Sequence, residues 1–360
     1  MNSGVELKPV ESGGTVEKAA AAKMPKGGRT LAGLGLLVAG LFFISCAMGR
    51  YAIPFPDLGR IFLAKLFGLN PAGSPTLETV LFAVRLPRIG AALMVGGALA
   101  MAGGAYQGLF KNPMVSPDIL GASAGAGFGA AVAILCSLNI VGIQVASFCG
   151  GLGAVLITFL ISKSIGRSNN PLLVLVLTGM VVSTLFASFI SMTKYVADPD
   201  NKLPAITFWL MGSLASVNAK DDIVLMIPML LGAIPLFLMR WRLNVLSFGD
   251  EEARALGINT ERVRLVIIVG STLLTAASVS VSGMIGWIGL VIPHFSRMLV
   301  GPDYRILLPA SALIGSAFLL AVDDLARCLF PMEIPLGILT SLIGAPFFVY
   351  LLMKGRRGWL

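Results

Sequence analysis

Charge is what this chain of 360 residues has least of. Asp, Glu, Lys and Arg make up 12% of it, about half the roughly 25% usual in a soluble domain, while 56% is apolar. That balance leaves too little polar surface to clothe a soluble fold, and it excludes most soluble enzyme classes. Histidine occurs once, at His294, and the four cysteines, Cys46, Cys136, Cys149 and Cys328, stand far apart. Neither a disulfide framework nor a zinc site of Cys/His spacing can be drawn from that set. His294 has no Cys, Asp or Glu at ligand spacing and reads as a hydrogen-bonded structural residue. No metal or other cofactor is therefore expected on this chain. No Gly-Lys dipeptide occurs, so the phosphate-cradling loop of Walker-type ATPases is missing and the chain is not expected to be an enzyme.

What the chain does have is long stretches without charge. They occupy 30–49, 89–110, 119–162, 168–193, 223–239, 265–296, 306–322 and 334–353. A charge near the bilayer centre is expensive, and about 20 apolar residues span the hydrocarbon core, so such stretches read as membrane crossings. The run 119–162 is too long for one helix and breaks near Ser137, Leu138 and Asn139. The run 265–296 breaks at Ser282, Gly283 and Gly286, giving one full helix and one short helix ending at Pro293. The expected fold is all-α and polytopic, with about ten transmembrane helices. An even count puts both termini on one side. Under that count the basic residues divide 18 to 9 in favour of the side holding the termini, which the positive-inside tendency makes cytoplasmic. The net charge of +9 needs no nucleic-acid partner once this bias is counted.

Residues 1–29, rich in Gly, Ala, Lys and Glu, are expected to form a disordered cytoplasmic tail rather than a cleaved signal peptide. The membrane domain is expected over 30–354 and a short C-terminal tail over 355–360. An amphipathic segment, Leu58–Leu69, and a semi-apolar one, Leu203–Leu214, fall on the external side. The largest cytoplasmic piece, Arg240–Arg264, contains Gly249-Asp250-Glu251-Glu252-Ala253-Arg254-Ala255-Leu256-Gly257, which reads as a short amphipathic helix: acid early, arginine later, glycine at the end. An exposed Ala253, Ala255, Leu256 surface there implies a docked partner.

Glycines are numerous, 42 in all. In lipid they let helices approach closely, and Gly121, Gly125 and Gly129, like Gly104 and Gly108, share a helix face. Two polar, proline-bearing interruptions, Asn112–Asp118 and Ile292–Arg297, each follow a glycine-rich span. Non-helical backbone at membrane depth survives only where protein or water satisfies it. The two halves thus have the look of an inverted-type repeat, as in many transporters.

The residues Arg85-Leu86-Pro87-Arg88, Gly96–Gly103, Gln107-Gly108, Asn112-Pro113-Met114 and Ser116–Gly121 resemble the first signature block of the permeases that serve iron-siderophore, haem and vitamin B12 ABC importers. Gly249-Asp250, Ala253, Ala255-Leu256-Gly257 and Ile285–His294 resemble a second block, and Asp324–Arg327, Glu333–Ile338 and Gly344–Phe348 a third. The resemblance spans about residues 31–353. It implies a homodimeric channel in the inner membrane, with two ATPase subunits that carry the ATP and Mg, and an extracytoplasmic substrate-binding protein.

By the same resemblance Arg85, Arg88 and Arg327 receive acidic residues of the binding protein, a role suited to guanidinium forks. Helix-end anchoring is the other reading, with Arg327 paired to Asp323 or Asp324 at helical spacing. The resemblance makes the segment 243–262 the coupling element, with Gly249, Asp250, Glu251, Ala253, Leu256 and Gly257 meeting the ATPase. It places Asn112 and Met114 at a cytoplasmic gate, where a turn fixed by Asn112-Pro113 is the alternative. A ferric siderophore-type chelate is the expected cargo, with cobalamin, haem or molybdate as alternatives. An ion-coupled secondary transporter is the rival from another class, although the spans carry no charged midplane group.

Overall fold

The computed structural model describes residues 27–49, 51, 53–67, 75–165, 171–329 and 331–355. All regular structure among them is helical. In chain order the helices are α1 (Gly27–Ala47), α2 (Phe55–Phe67), α3 (Pro75–Thr79), α4 (Leu86–Leu109), α5 (Ala122–Leu135), α6 (Ile140–Ser164), α7 (Pro171–Val196), α8 (Lys202–Met211), α9 (Ala219–Phe248), α10 (Asp250–Ala255), α11 (Thr260–Ser282), α12 (Ile288–Val300), α13 (Tyr304–Cys328) and α14 (Leu336–Gly355). A π-helical turn, Val80–Arg85, joins α3 to α4. Seven helices are long and apolar enough to cross a membrane, and three shorter apolar ones, α5, α12 and most of α14, fill the remaining charge-free intervals.

Helix ends depart from the charge-free intervals in both directions. The helix containing α4 runs unbroken from Thr76 to Leu109, because Arg85 is bound by backbone carbonyls and Arg88 is ion-paired inside the protein, so neither ends it. Helix α9 continues to Phe248, eight residues past Arg240, so much of the expected cytoplasmic loop is helix. Helix α1 starts at Gly27, inside the expected N-terminal tail, whose residues 1–26 lie outside the described set. Gly355 still belongs to α14, and 356–360 also lie outside. Helix α12 does not stop at Pro293 but passes through it to Val300. Proline removes the N–H that the carbonyl four residues earlier would accept. That carbonyl, of Gly289, lies against Gly103 of α4, where no Cβ could fit.

The centre of the bundle is α4, α11 and α13, whose side chains are mostly buried, while α1, α6, α7 and α9 expose long apolar faces. Glycine sets the closest crossings. At Gly96 and Gly315 an added Cβ on either α4 or α13 would overlap the other helix's backbone carbonyl. Gly125 and Gly129 stand in the same relation to α6, which makes that glycine row packing inside one chain.

The first interruption meets the helix that follows the second. The first runs from 110 to 121 and holds a 3-10 turn, Pro117–Leu120; the second, at 283–287, separates α11 from α12. The Pro117 ring packs on Gly289, and Gln107 Nε2 donates to the Leu290 carbonyl at 3.1 Å. Ser213 N–H donates to Ser282 O at 2.8 Å, so a carbonyl freed at the second break finds a protein partner, and Leu336 N–H ties the start of α14 to Gly212 O at 2.9 Å. Trp287, at φ +71°, turns the chain into α12. A bulky residue at positive φ is held there only by its surroundings, here Gly344, whose missing side chain leaves room for the indole.

Candidate functional site

The expected site residues separate into two groups at opposite ends of the bundle. At one end the dipeptide Leu86-Pro87 sets the local backbone. Pro87 cannot donate to the carbonyl of Ala83, and its ring would crowd that group in a regular helix. The preceding turn widens into a π-turn in which Leu86 N–H bonds Leu81 O instead. The widened turn aims Arg85 at the C-terminus of α1, where carbonyls lack helical partners. Arg85 Nη1 donates to Cys46 O at 2.6 Å and Ala47 O at 3.2 Å, and Nη2 to Tyr51 O. Cation against helix C-terminus is the favourable sense of the helix dipole.

Arg88, one turn further on, meets α13. Its Nε lies 2.9 Å from Asp323 Oδ2 and its Nη2 2.9 Å from Oδ1, while Nη1 faces both oxygens of Glu333 at 3.0 Å. Asp324, rotated about 100° from Asp323 on the helix, pairs instead with Arg327 and accepts from Ser45 Oγ at 2.7 Å. Arg327 Nη2 also reaches Ser45 O at 2.8 Å. Of the two pairings open to Arg327 in the sequence, Asp324 is the one formed; Asp323 belongs to Arg88.

Arg85, Arg88 and Arg327 are all engaged within the chain, at 4%, 7% and 6% exposure, as the anchoring alternative has it. Burial follows from chemistry, since each guanidinium finds carbonyls or carboxylates within the chain, and a buried charge persists only when so paired. All three line a small cleft of about 180 Å³ with Glu333 and Tyr51. Glu333, 34% exposed, is the most open carboxylate of the group.

At the opposite end Asn112 and Met114 follow α4. Lys111 sits at φ +50°. Lys111 N–H bonds Gly108 O at 3.4 Å and Asn112 N–H bonds Gln107 O at 3.2 Å, the paired closure of a left-handed helix cap. Asn112 Oδ1 then accepts from Met114 N–H at 2.9 Å, so this amide fixes a turn, and the turn leaves Met114 half exposed.

The segment expected to meet an ATPase lies at the same end. Gly249, at φ +142°, separates α9 from α10, and Gly257, at φ +76°, ends α10 with Gly257 N–H on Arg254 O and Ile258 N–H on Ala253 O. Asp250 pairs with Arg264 of α11. Ala253 is fully buried, against the expectation of an exposed apolar trio; it faces inward because α10 packs on α9 and α11. Ala255, Glu251 and Leu256 remain outside, Leu256 at 66% exposure. A cleft of about 430 Å³ unites the two expectations, being lined by Lys111 and Asn112 together with Pro171, Asp250 and Arg264. Met114 is not among its walls.

Three residues of this end are not singled out by sequence reasoning. Phe248, 76% exposed, stands beside Gly249; an aromatic next to Gly-Asp-Glu-Glu is the available signal. Arg264 reads in the sequence only as one basic charge among several. Asn244 leaves no signal at all: its Nδ2 donates to Asp303 Oδ1 at 2.6 Å and its Oδ1 accepts from Tyr304 N–H at 2.8 Å, clamping the end of α9 to the start of α13. Asp303 also accepts from Arg305. Its carboxyl is partly desolvated, which raises its pKa, but these hydrogen bonds and the Arg305 charge outweigh that and hold it below the usual range. His294 is half-buried with Nδ1 lacking a hydrogen-bond partner, contrary to the expected bonded role. Among the described residues no group of three or more His, Cys, Asp and Glu is placed to hold a metal ion.

A polytopic helical bundle with broken helices, a charged cleft at one end and a short surface helix at the other defines a membrane permease. Residues 36–354 match the FecCD transport family, and the chain belongs to it. It is 42% identical to the molybdate import system permease protein MolB of Haemophilus influenzae over 92% of this chain and 97% of that protein. It is 41% identical to a probable iron chelatin transport system permease protein of Helicobacter pylori, over 78% of this chain and 84% of the relative. A solved structure described as an inward-facing conformation of a putative metal-chelate type ABC transporter superposes with a TM-score of 0.81 at 41% identity, covering 91% of this chain and 99% of that one. The chain is thus the permease of an ABC importer, a component that implies ATPase and substrate-binding partners. The ion-coupled secondary transporter is set aside.

Proposed function

We propose that two copies of this chain form an inner-membrane channel, each crossing ten times with both termini cytoplasmic, and that the channel passes a ferric siderophore-type chelate inward. The three shorter apolar helices bring seven crossings to ten, and the distribution of basic residues supports the orientation. The observation that carries the reading is the separation of the two groups: the arginine cleft at one end, and α10 with its exposed Leu256 and Phe248 at the other. In this reading the arginine end receives the cargo-loaded binding protein. The ATPase grips α10 beside the Asn112 cleft, and its closure on ATP drives the channel between outward-open and inward-open states. Buried Ala253 fixes α10 to the bundle, so that force on Leu256 and Phe248 moves α9 and α11 instead of bending a loop.

The cargo rests on relatives named for iron chelatin and for iron(3+)-hydroxamate import. Molybdate is the second reading, favoured by the Haemophilus relative, which this chain covers almost end to end. Other relatives are named for cobalamin and hemin. The test is uptake into proteoliposomes holding the permease, its ATPase and its binding protein, with ferric hydroxamate, molybdate, cobalamin and haem supplied in turn. ATP-dependent accumulation of ferric hydroxamate alone supports the first reading, and accumulation of molybdate alone replaces it.

A further inference from the structure

Three guanidinia and one carboxylate, Glu333, line the arginine cleft, and Asp323 and Asp324 lie behind it, so the three carboxylates are not equivalent. Asp323 is fully buried and Asp324 nearly so, each held by its own arginine from within the bundle. Glu333 comes from outside the bundle. It lies in the non-helical connection between α13 and α14, and its carboxylate touches only the outward edge of Arg88, through Nη1, while Nε and Nη2 are spent on Asp323. Among the described residues Arg85 has no carboxylate partner; its hydrogen bonds go to backbone carbonyls. Lifting Glu333 away would therefore expose one unpaired guanidinium edge, beside a second guanidinium, in a cleft of about 180 Å³ bounded by Gly49, Tyr51 and Val84. That is space for one acidic side chain and little more.

We propose that Glu333 is an internal stand-in for a partner's carboxylate, and that docking is an exchange. An acidic side chain of the substrate-binding protein enters the cleft, takes Arg88 Nη1 from Glu333, and leaves Glu333 in water with the 331–335 connection released from α4. The exchange conserves the number of ion pairs on Arg88. It therefore gives specificity and timing more than affinity, because the gain from the incoming carboxylate is offset by the pair it breaks. Glu333 also keeps the cleft from capturing stray anions. The connection it leaves leads directly into α14, so docking is read by the membrane helices without any charge having to enter them.

The inference rests on the reading that this end receives the binding protein, and the experiment separates the two. The permease–ATPase complex is placed in nanodiscs, and its cognate binding protein is captured on a biosensor for association and dissociation kinetics. In Glu333→Gln the internal competitor loses its charge, and the affinity is expected to tighten about fivefold, the weight of a partly exposed ion pair. Glu333→Asp, one methylene shorter, is expected to shift it in the same direction and serves if the first variant does not assemble. Unchanged or weaker binding in these variants overturns the exchange. Arg88→Gln, made together with Asp323→Asn so that no buried carboxylate is stranded, then decides the rest: weakened binding with no tightening in the Glu333 variants removes the exchange alone, and unaltered binding in this double variant removes the docking reading as well.

Discussion

The clamp at Asn244 makes the most demanding prediction, because this neutral amide makes the two shortest hydrogen bonds joining the helix that leads into α10 to the start of α13, beside a longer one from Arg240 Nη1 to Arg305 O at 3.3 Å. Helix α13 has 25 residues, about 37 Å of rigid rod, and its far end carries Asp323 and Asp324. Whatever moves α9 therefore moves the arginine cleft, provided the clamp holds. Asn244→Ala removes a hydrogen bond to a carboxylate and leaves Tyr304 N–H without its acceptor. These losses amount to about 2–4 kcal/mol at the joint, enough to raise its open population by roughly two orders of magnitude. The expected result is a complex that still hydrolyses ATP but transports several-fold less cargo per ATP. Asn244→Asp is expected to be as damaging, since it sets two carboxylates where the donor and acceptor lie 2.6 Å apart. The charge-swapped pair Asn244→Asp with Asp303→Asn restores a donor–acceptor match and should recover much of the coupling. Cargo moved per ATP, measured in proteoliposomes for all four proteins, is the assay. If the swapped pair couples no better than Asn244→Asp alone, the clamp is not a transmission point.

Packing and charge elsewhere set further expectations. Gly96→Val drives a side chain into the Gly315 carbonyl and should cost about 3 kcal/mol, seen as a lowered melting temperature in detergent, whereas Gly35→Ala meets nothing within 4 Å and should leave melting unchanged. Leu256→Asp should leave the permease folded but reduce its co-purification with the ATPase, while Ala253→Asp should impair folding itself, because that position is fully buried. The depressed carboxyl of Asp303 stabilises the fold above its unfolded pKa of about 3.9, and that contribution disappears as pH falls through the lower folded value. Melting of the native permease should therefore fall more steeply below about pH 4 than that of Asp303→Asn.

Charge-free intervals locate the helices because a bilayer leaves the chain no alternative to apolar helical segments. The same logic misjudges the helix ends. Arg85, Arg88 and Asp323 look like the borders of spans, yet they lie within helices, since a charge met inside the protein, by backbone carbonyls for Arg85 and by an ion pair for Arg88 and Asp323, need not reach water. Asn112-Pro113 is legible as a turn from local chemistry alone, and the ends of α10 are legible from Gly249 and Gly257. Ala253 is misread because its face depends on how α10 lies against α9 and α11, which no periodicity over six residues can reveal. Asn244 and Glu333 are invisible for the same reason: each acts on a partner at least 59 positions away in the chain.

One end of this permease receives a binding protein and the other transmits ATPase closure: that is the central claim. Its most direct measurement is ATP hydrolysis by the reconstituted complex before and after addition of the cargo-loaded binding protein. Native complex should show a several-fold stimulation that Arg88→Gln, made together with Asp323→Asn so that no buried carboxylate is stranded, abolishes while the unstimulated rate persists. Equal stimulation in both proteins would contradict the account, because the arginine end would then have no part in signalling that cargo has arrived.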